Sequence, residues 1–222
     1  YTGNGCGIDS VMQIVVINPT GSVLALPLAQ DICSGTPFLP IILTSTVPGY
    51  TVTWELDTAI NVQGFNLSNG FGLNTTTIAP LILTNSSNTT GTVTLTASVG
   101  CTSVAPIEIE INVLPNANVQ LDPSQQSICS GDQTDINITS NLANMSFAWL
   151  VQAPNTISGE APGGGANIAQ TLSNSGTTLD TAIYIVSVVG YQCPGLPQTV
   201  PVIVTPEVSA NLLSDTTFCP GV

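Results

Sequence analysis

Ile107-Glu108-Ile109-Glu110-Ile111-Asn112-Val113 is the stretch that decides the fold. Apolar side chains at 107, 109, 111 and 113 alternate with polar ones at 108, 110 and 112. A period of two puts the first set on one face of a pleated strand and the second set in water. Working back along the chain, Thr92 to Val99 repeats the pattern, with Val93, Leu95, Ala97 and Val99 on one side. Working forward, Asp135-Ile136-Asn137-Ile138-Thr139 and Thr181 to Val189 read the same way. Thr, Val and Ile dominate these runs, as pleated surfaces prefer. Gly, Pro, Asn and Ser clusters such as Ala161-Pro162-Gly163-Gly164-Gly165 separate them. No apolar stripe of helical period and length is present. The expectation is an all-β chain of short strands stacked as β-sandwiches.

The chain also repeats itself. Ile32-Cys33-Ser34-Gly35, Ile128-Cys129-Ser130-Gly131 and Phe218-Cys219-Pro220-Gly221 are three copies of one motif. A second cysteine class follows glycine near a strand end, at Gly5-Cys6, Gly100-Cys101 and Gly190-Tyr191-Gln192-Cys193. Each leads into a β-like run that ends in proline, at Pro19, Pro115 and Pro206. Trp54 lies 21 residues after Cys33, and Trp149 lies 20 after Cys129. This register predicts the tail of one repeat over 1–20, complete repeats over 21–115 and 116–206, and the start of another over 207–222. The chain then reads as a window on a longer modular array.

Composition removes whole classes of function. The 222 residues include 13 acidic side chains and no Lys, Arg or His. An average chain is roughly one quarter charged, about half of it basic. Without cations there is no footprint for nucleic acid and no polybasic anchor for anionic membrane. Without histidine or lysine, none of the plentiful serines can be activated as a usual nucleophile. Low charge does not mean disorder, because 43% of the residues are hydrophobic. None of the apolar runs approaches the roughly 20 residues that span a bilayer as a helix. Solubility must come from uncharged polar groups and the net charge of -13.

The six cysteines point to an oxidising compartment. They are far apart, with no CxxC and no histidine, so a metal site is not expected. Two pairing schemes remain open. One staples each repeat internally, Cys33–Cys101 and Cys129–Cys193, and leaves Cys6 and Cys219 to partners outside the window. The other joins the tail of one repeat to the head of the next, Cys6–Cys33, Cys101–Cys129 and Cys193–Cys219. In a sandwich the two cysteine classes could lie at opposite ends, which weighs against the first. Either scheme closes long loops worth roughly 2–5 kcal/mol each.

Trp54 and Trp149 sit in early strands at matching repeat positions, which marks them as core residues rather than sugar-stacking platforms. The Ile-Cys-Ser-Gly opening, the mid-repeat Trp, the Gly-Cys near the end and the terminal Val-x-Val-x-Pro together resemble PKD-like or immunoglobulin-like repeats. Such repeats occur in large surface proteins of Bacteroidota, including gliding-motility adhesins. The resemblance spans essentially the whole chain. It implies export by type IX secretion and O-glycans at Asp-Ser/Thr motifs, here on Ser10, Thr58, Thr181 and Thr216. The same Asp-Thr pairs could simply cap turns. Asn-x-Ser/Thr sequons at Asn66, Asn74, Asn85, Asn88, Asn137 and Asn144 reflect composition.

Few residues are candidates for chemistry. Glu108 and Glu110 share a strand face and form a conceivable carboxylate pair, but they read better as the solvated side of that strand. Asp132 and Asp135 could hold calcium with loop carbonyls, although their spacing matches no dedicated calcium loop; no other cofactor is expected. Tyr1, Tyr50, Tyr191, Phe65 and Phe71 are the aromatic residues a sugar-binding surface would use. The function expected is therefore not enzymatic. It is a structural stalk of an extracellular, cell-surface adhesin or filament, contacting neighbouring repeats and in a filament copies of itself. The alternatives are a module that binds surface glycans, or an accessory module of a secreted enzyme.

Overall fold

A computed structural model describes residues 20–100 and 104–207. Among these residues every regular element is a strand. Among the described residues no helix is long and apolar enough to cross a membrane. The strands are β1 (Val23–Leu26), β2 (Ala29–Cys33), β3 (Thr36–Pro37), β4 (Ile41–Ser45), β5 (Thr51–Ile60), β6 (Asn69–Leu73), β7 (Thr75–Ile78), β8 (Ile82–Leu83), β9 (Gly91–Val99) and β10 (Ile107–Leu114). They continue with β11 (Val119–Asp122), β12 (Gln126–Cys129), β13 (Ile136–Ser140), β14 (Ser146–Gln152), β15 (Ile157–Ser158), β16 (Gly163–Gly164), β17 (Asn167–Ile168), β18 (Ser173–Asn174), β19 (Asp180–Val189) and β20 (Gln198–Thr205).

These strands build two sandwiches of the same order. In the first, the sheet β1-β4-β7 faces β2-β10-β9-β5-β6. In the second, β11-β13-β17 faces β12-β20-β19-β14-β16. Two small ribbons, β3-β8 and β15-β18, complete them. Ladders are antiparallel except β2 on β10 and β12 on β20, which are parallel. The parallel pairs arise because the chain changes sheets within a few residues. It does so between β1 and β2 at the cis Leu26-Pro27 bond, and between β11 and β12 at the cis Asp122-Pro123 bond. Proline lacks the N–H that a continuing ladder would need, so the strand is interrupted there.

The alternation that marked 107–113 has its physical origin in this packing. Ile109, Ile111 and Val113 are 0% exposed, while Glu108 and Glu110 face solvent opposite Thr96 and Thr94. The first core joins them to Val93 and Leu95 of β9, Val52 and Trp54 of β5, and Ile41, Leu43 and Ile78 from the facing sheet. The second core repeats the plan with Ile136, Ile138, Trp149, Ala182, Tyr184, Val186, Val202 and Val204. Burying an aliphatic or aromatic side chain of this kind contributes about 1.5–3 kcal/mol. Trp54 and Trp149 lie inside, each with its indole against a glycine of the edge strand. A Cβ on Gly70 would stand 2.5 Å from Trp54 Nε1, and one on Gly163 would stand 2.6 Å from Trp149 Cζ2.

The cysteine pairing corrects both schemes read from sequence. The disulfide joins Cys33 to Cys193, with S–S 2.01 Å and Cα–Cα 5.3 Å. Strand direction supplies the reason. Cys33 ends β2 beside Leu114, at the pole where β9 begins with Gly91. Val99 and Gly100 end β9 at the other pole, eight residues or roughly 27 Å away at about 3.4 Å per residue. Cysteines whose Cα atoms are more than about 7 Å apart cannot bridge. Gly100 N donates to Thr51 O at that far pole, and Cys101 lies outside the described residues. The same geometry separates Cys129 from Cys193. Cys129 is beside Thr205 at one pole, and Cys193 follows β19, which runs to the opposite pole. Cys129 and Cys193 of the second sandwich thus sit at opposite ends, and Cys193 meets Cys33 of the first. Cys129 is free and exposed. Cys6 and Cys219 lie outside the described residues.

Candidate functional site

The junction between the sandwiches gathers the disulfide and a set of hydrogen bonds. The chain leaves β10 and enters the second sandwich through Pro115-Asn116-Ala117-Asn118. Ala117 N donates to Cys193 O at 3.0 Å, and Gly195 N donates back to Ala117 O at 2.8 Å, so the linker forms an isolated parallel bridge to the β19–β20 loop. That approach leaves no room for a side chain at 195. A Cβ there would lie 2.4 Å from Asn118 Oδ1 and 2.8 Å from Ala117 O. Tyr191 donates its hydroxyl proton to Pro115 O at 3.0 Å. Asn116 Nδ2 donates to Ser34 O at 3.1 Å, next to the disulfide. Asn141 accepts from Asn118 N at 2.7 Å and donates to Asn116 O at 3.1 Å and to Asn88 Oδ1 at 3.2 Å. The two sandwiches are therefore tied by one covalent bond and a set of uncharged hydrogen bonds. A chain without cations can make these contacts where it can make no ion pair.

Behind Cys33 stands a buried asparagine that fixes the pole. Asn85 is 7% exposed, and its Nδ2 donates to Thr89 O at 2.7 Å and Val113 O at 2.8 Å. Its Oδ1 accepts from Ser87 N at 2.8 Å. Its backbone N–H donates to Ser34 Oγ at 2.9 Å, while Ser34 N donates to Leu114 O at 2.9 Å. Gly35, at φ +86°, then donates to Leu83 O at 2.8 Å. The left-handed turn needs glycine. This arrangement also spends the Asn85 amide inside the fold, so that sequon offers no free side chain for a sugar.

The remaining sequence candidates do not converge. Asp132 accepts from Cys129 N, and Asp135 accepts from Asn167 Nδ2. Among the described residues no group of His, Cys, Asp and Glu could hold a metal ion. Thr58 is exposed just past a bulge in β5, and Thr181 is half-buried within the β19 ladder. Ser10 and Thr216 lie outside the described residues, as does Tyr1. Of the aromatic candidates, Phe65 stacks on Phe38 with centroids 6.3 Å apart, and Tyr191 is committed to the junction. Phe71 is different. It is 78% exposed on β6 and lines a shallow cleft of about 490 Å³ with Thr53, Glu55, Thr96 and Ser98.

Sequence reasoning did not single out Tyr184, Glu160 or Gln170. Tyr184 is 0% exposed, and its hydroxyl donates to Gln170 Oε1 at 2.8 Å. Burial, and then the nearby Glu160 charge, push its pKa up to about 12. Glu160 Oε2 is buried without a hydrogen-bond partner. Gln170 Nε2 and the Trp149 indole N–H both donate to Ala161 O, at 2.8 and 3.2 Å. The network pins the 160s loop over the second core.

The fold is an immunoglobulin-like, PKD-like β-sandwich. Residues 126–208 match the family described as PKD-like domain. Comparison with curated protein sequences found no match. Solved structures similar to this chain include a protocadherin GammaB4 extracellular domain, at 12% identity and TM-score 0.41 over 87% of this chain and 33% of that one. Another is DIP-gamma IG1+IG2, at 8% identity and TM-score 0.36 over 85% of this chain and 99% of that one. The fibronectin(III)-like modules of Clostridium thermocellum CbhA align at 15% identity and TM-score 0.28 over 83% of this chain and 94% of theirs.

Proposed function

We propose that this chain is a non-catalytic spacer in the stalk of a long extracellular surface protein. In this reading 21–115 and 116–206 are consecutive modules, 1–20 is the tail of a preceding one, and 207–222 begins a following one. The observation that carries the reading is the Cys33–Cys193 disulfide, which joins the two sandwiches rather than stapling either. A bond at the junction does little for either core. It fixes one module against the next, as a stiff spacer requires. Closing a loop of this length, with its ends 160 residues apart, stabilises the folded chain by up to about 5 kcal/mol. The absence of Lys, Arg and His supports a passive role and leaves trypsin no bond to cut. The resemblance to gliding-motility adhesins of Bacteroidota, with type IX export and glycans on Thr58 and Thr181, is the finer form of the same proposal.

A second reading has one observation in its favour. Exposed Phe71 beside hydroxyls and the Glu55 carboxylate offers a stacking face with hydrogen-bonding groups around it, the chemistry a saccharide ring needs. Small-angle scattering and a glycan-binding screen on the same chain separate the two. A spacer gives one stiff, elongated shape that loosens on reduction, and retains no saccharide. Saccharide retention that Phe71→Ala abolishes would replace the spacer reading with the binding module.

A further inference from the structure

The pole around Cys129 repeats the serine, glycine and asparagine hydrogen bonds of the pole around Cys33. Cys33 pairs with Leu114 in the parallel ladder of β2 on β10, and Cys129 pairs with Thr205 in that of β12 on β20. Ser130 N donates to Thr205 O at 2.8 Å, as Ser34 N does to Leu114 O. Gly131, at φ +92°, donates to Leu172 O at 2.8 Å, as Gly35 does to Leu83 O. Asn174 N donates to Ser130 Oγ at 3.0 Å, and Asn174 Nδ2 donates to Thr178 O and Val204 O at 2.9 and 2.8 Å. Asn85 makes the matching set behind Cys33. One of these two frames holds a disulfide to the next sandwich in this same structure. The other presents an exposed thiol at the rim of an open groove lined by Ile128, Asp132, Gln133 and Thr205.

We propose that this pole is the docking face for a third sandwich of the same kind, closed by a disulfide between Cys129 and that sandwich's counterpart of Cys193. The inference rests on the modular reading above. The sequence names the occupant, because Phe218-Cys219-Pro220-Gly221 restarts the head motif 90 residues after Cys129. Cys193 lies 64 residues beyond its own head cysteine, Cys129. The partner is therefore a cysteine some sixty to seventy residues past Cys219. Two details differ at this pole. Asp132 accepts from Cys129 N at 3.1 Å, where Thr36 donates its hydroxyl to Cys33 O at 2.7 Å. Glu207 stands where Asn116 stands at the first junction, and a carboxylate cannot donate to a carbonyl as Asn116 does. The second junction thus leans more on its disulfide.

By the same rule Cys101 and Cys6 bond to head cysteines before this window, and Cys219 bonds to a tail cysteine beyond it. Successive disulfide loops overlap, so every module is spanned by at least one bridge. The oxidant is a protein or small-molecule disulfide. The Cys129 thiolate attacks it and expels one of its sulfurs as a thiolate. The partner cysteine's thiolate then attacks the Cys129 sulfur, forming the new S–S bond and expelling the oxidant's second sulfur as a thiolate, so the oxidant leaves with both sulfurs reduced to thiols.

Non-reducing peptide mapping of the native parent protein, alkylated before lysis and cut at acidic residues, tests this. The expected result is the Cys129 peptide joined to a peptide C-terminal to Cys219 of the same chain. Cys129 recovered as an alkylated thiol would overturn the proposal. So would Cys129 bonded to Cys6, Cys101 or Cys219, or to a second copy as a covalent dimer. Cys129→Ser in the parent should release one downstream thiol and leave Cys33–Cys193 intact. A Cys129→Ser protein with no newly free thiol would also refute the link. An alkylated Cys129 beside an intact Cys33–Cys193 bond would leave the spacer reading standing. Saccharide binding through Phe71 would remove the spacer reading and leave the link untouched.

Discussion

Replacing Asn174 with alanine should destabilise the second sandwich selectively, and the structure sets the size of the effect. The side chain is 4% exposed and makes three hydrogen bonds, to Thr178 O, Val204 O and Gly176 N. Alanine leaves all three backbone groups without that partner. A hydrogen bond of this kind contributes about 1 kcal/mol net, and a buried polar group left unmet costs about 1–3 kcal/mol. Val204 O is the most deeply placed of the three, so the expected total is about 3 kcal/mol. For a sandwich of roughly 90 residues that lowers Tm by about 12–24 °C, at about 4–8 °C per kcal/mol. Unfolding followed by tryptophan fluorescence gives the magnitude, and hydrogen exchange gives the location. Protection should fall across β19 and β20 and persist across β9 and β10. Asn174→Asp keeps the acceptor for Gly176 N but sets a carboxylate against two carbonyls, so it should cost at least as much. Asn85→Ala should give the mirror result in the first sandwich. A loss below about 1 kcal/mol, or equal deprotection of both sandwiches, would refute the argument that these asparagines hold the poles.

Gly163→Ala and Gly70→Ala should each cost about 1–3 kcal/mol by overpacking and shift the tryptophan emission, because the new methyl group meets an indole from below 3 Å. Gly195→Ala should loosen the junction while both cores stay intact, visible as faster exchange at Ala117 and Gly195 without a change in core protection. Alkaline pH should weaken the second sandwich. Tyr184 titrates near 12 in the fold, against about 10 unfolded, so its contribution is complete below pH 10 and is lost as pH rises towards 12. A titration of the phenolate band should show one late-titrating group that Tyr184→Phe removes.

The strands were legible because side-chain alternation reports burial directly. Thr92 to Val99 and Ile107 to Val113 are the heart of β9 and β10, and Thr181 to Val189 fills β19. The glycines behind the tryptophans were not legible, because Gly70 and Gly163 look like turn residues until the edge strand is placed over the indole. The disulfide was misread for a related reason. The spacing of Cys33, Cys101, Cys129 and Cys193 gives two cysteines per repeat, but which pole each occupies depends on strand direction. Cys129 on a parallel strand and Cys193 after the hairpin partner fall at opposite ends. The asparagine frame did leave a signal. Asn85-Ser86-Ser87 and Asn174-Ser175-Gly176 occupy matching places before the β9 and β19 runs, where Asn85 read only as a compositional sequon.

The measurement that bears most directly on the spacer role is single-molecule extension, pulling the chain from its two ends with and without reductant. With Cys33–Cys193 intact, tension passes from β2 through the sulfurs to β20, and the chain between them cannot extend. The bond hides 160 residues of separation, roughly 560 Å at about 3.5 Å per residue. The account predicts that this length is missing from the oxidised trace and appears, in two unfolding steps, only after reduction. Its appearance in full under oxidising conditions would contradict the junction disulfide and the spacer built on it.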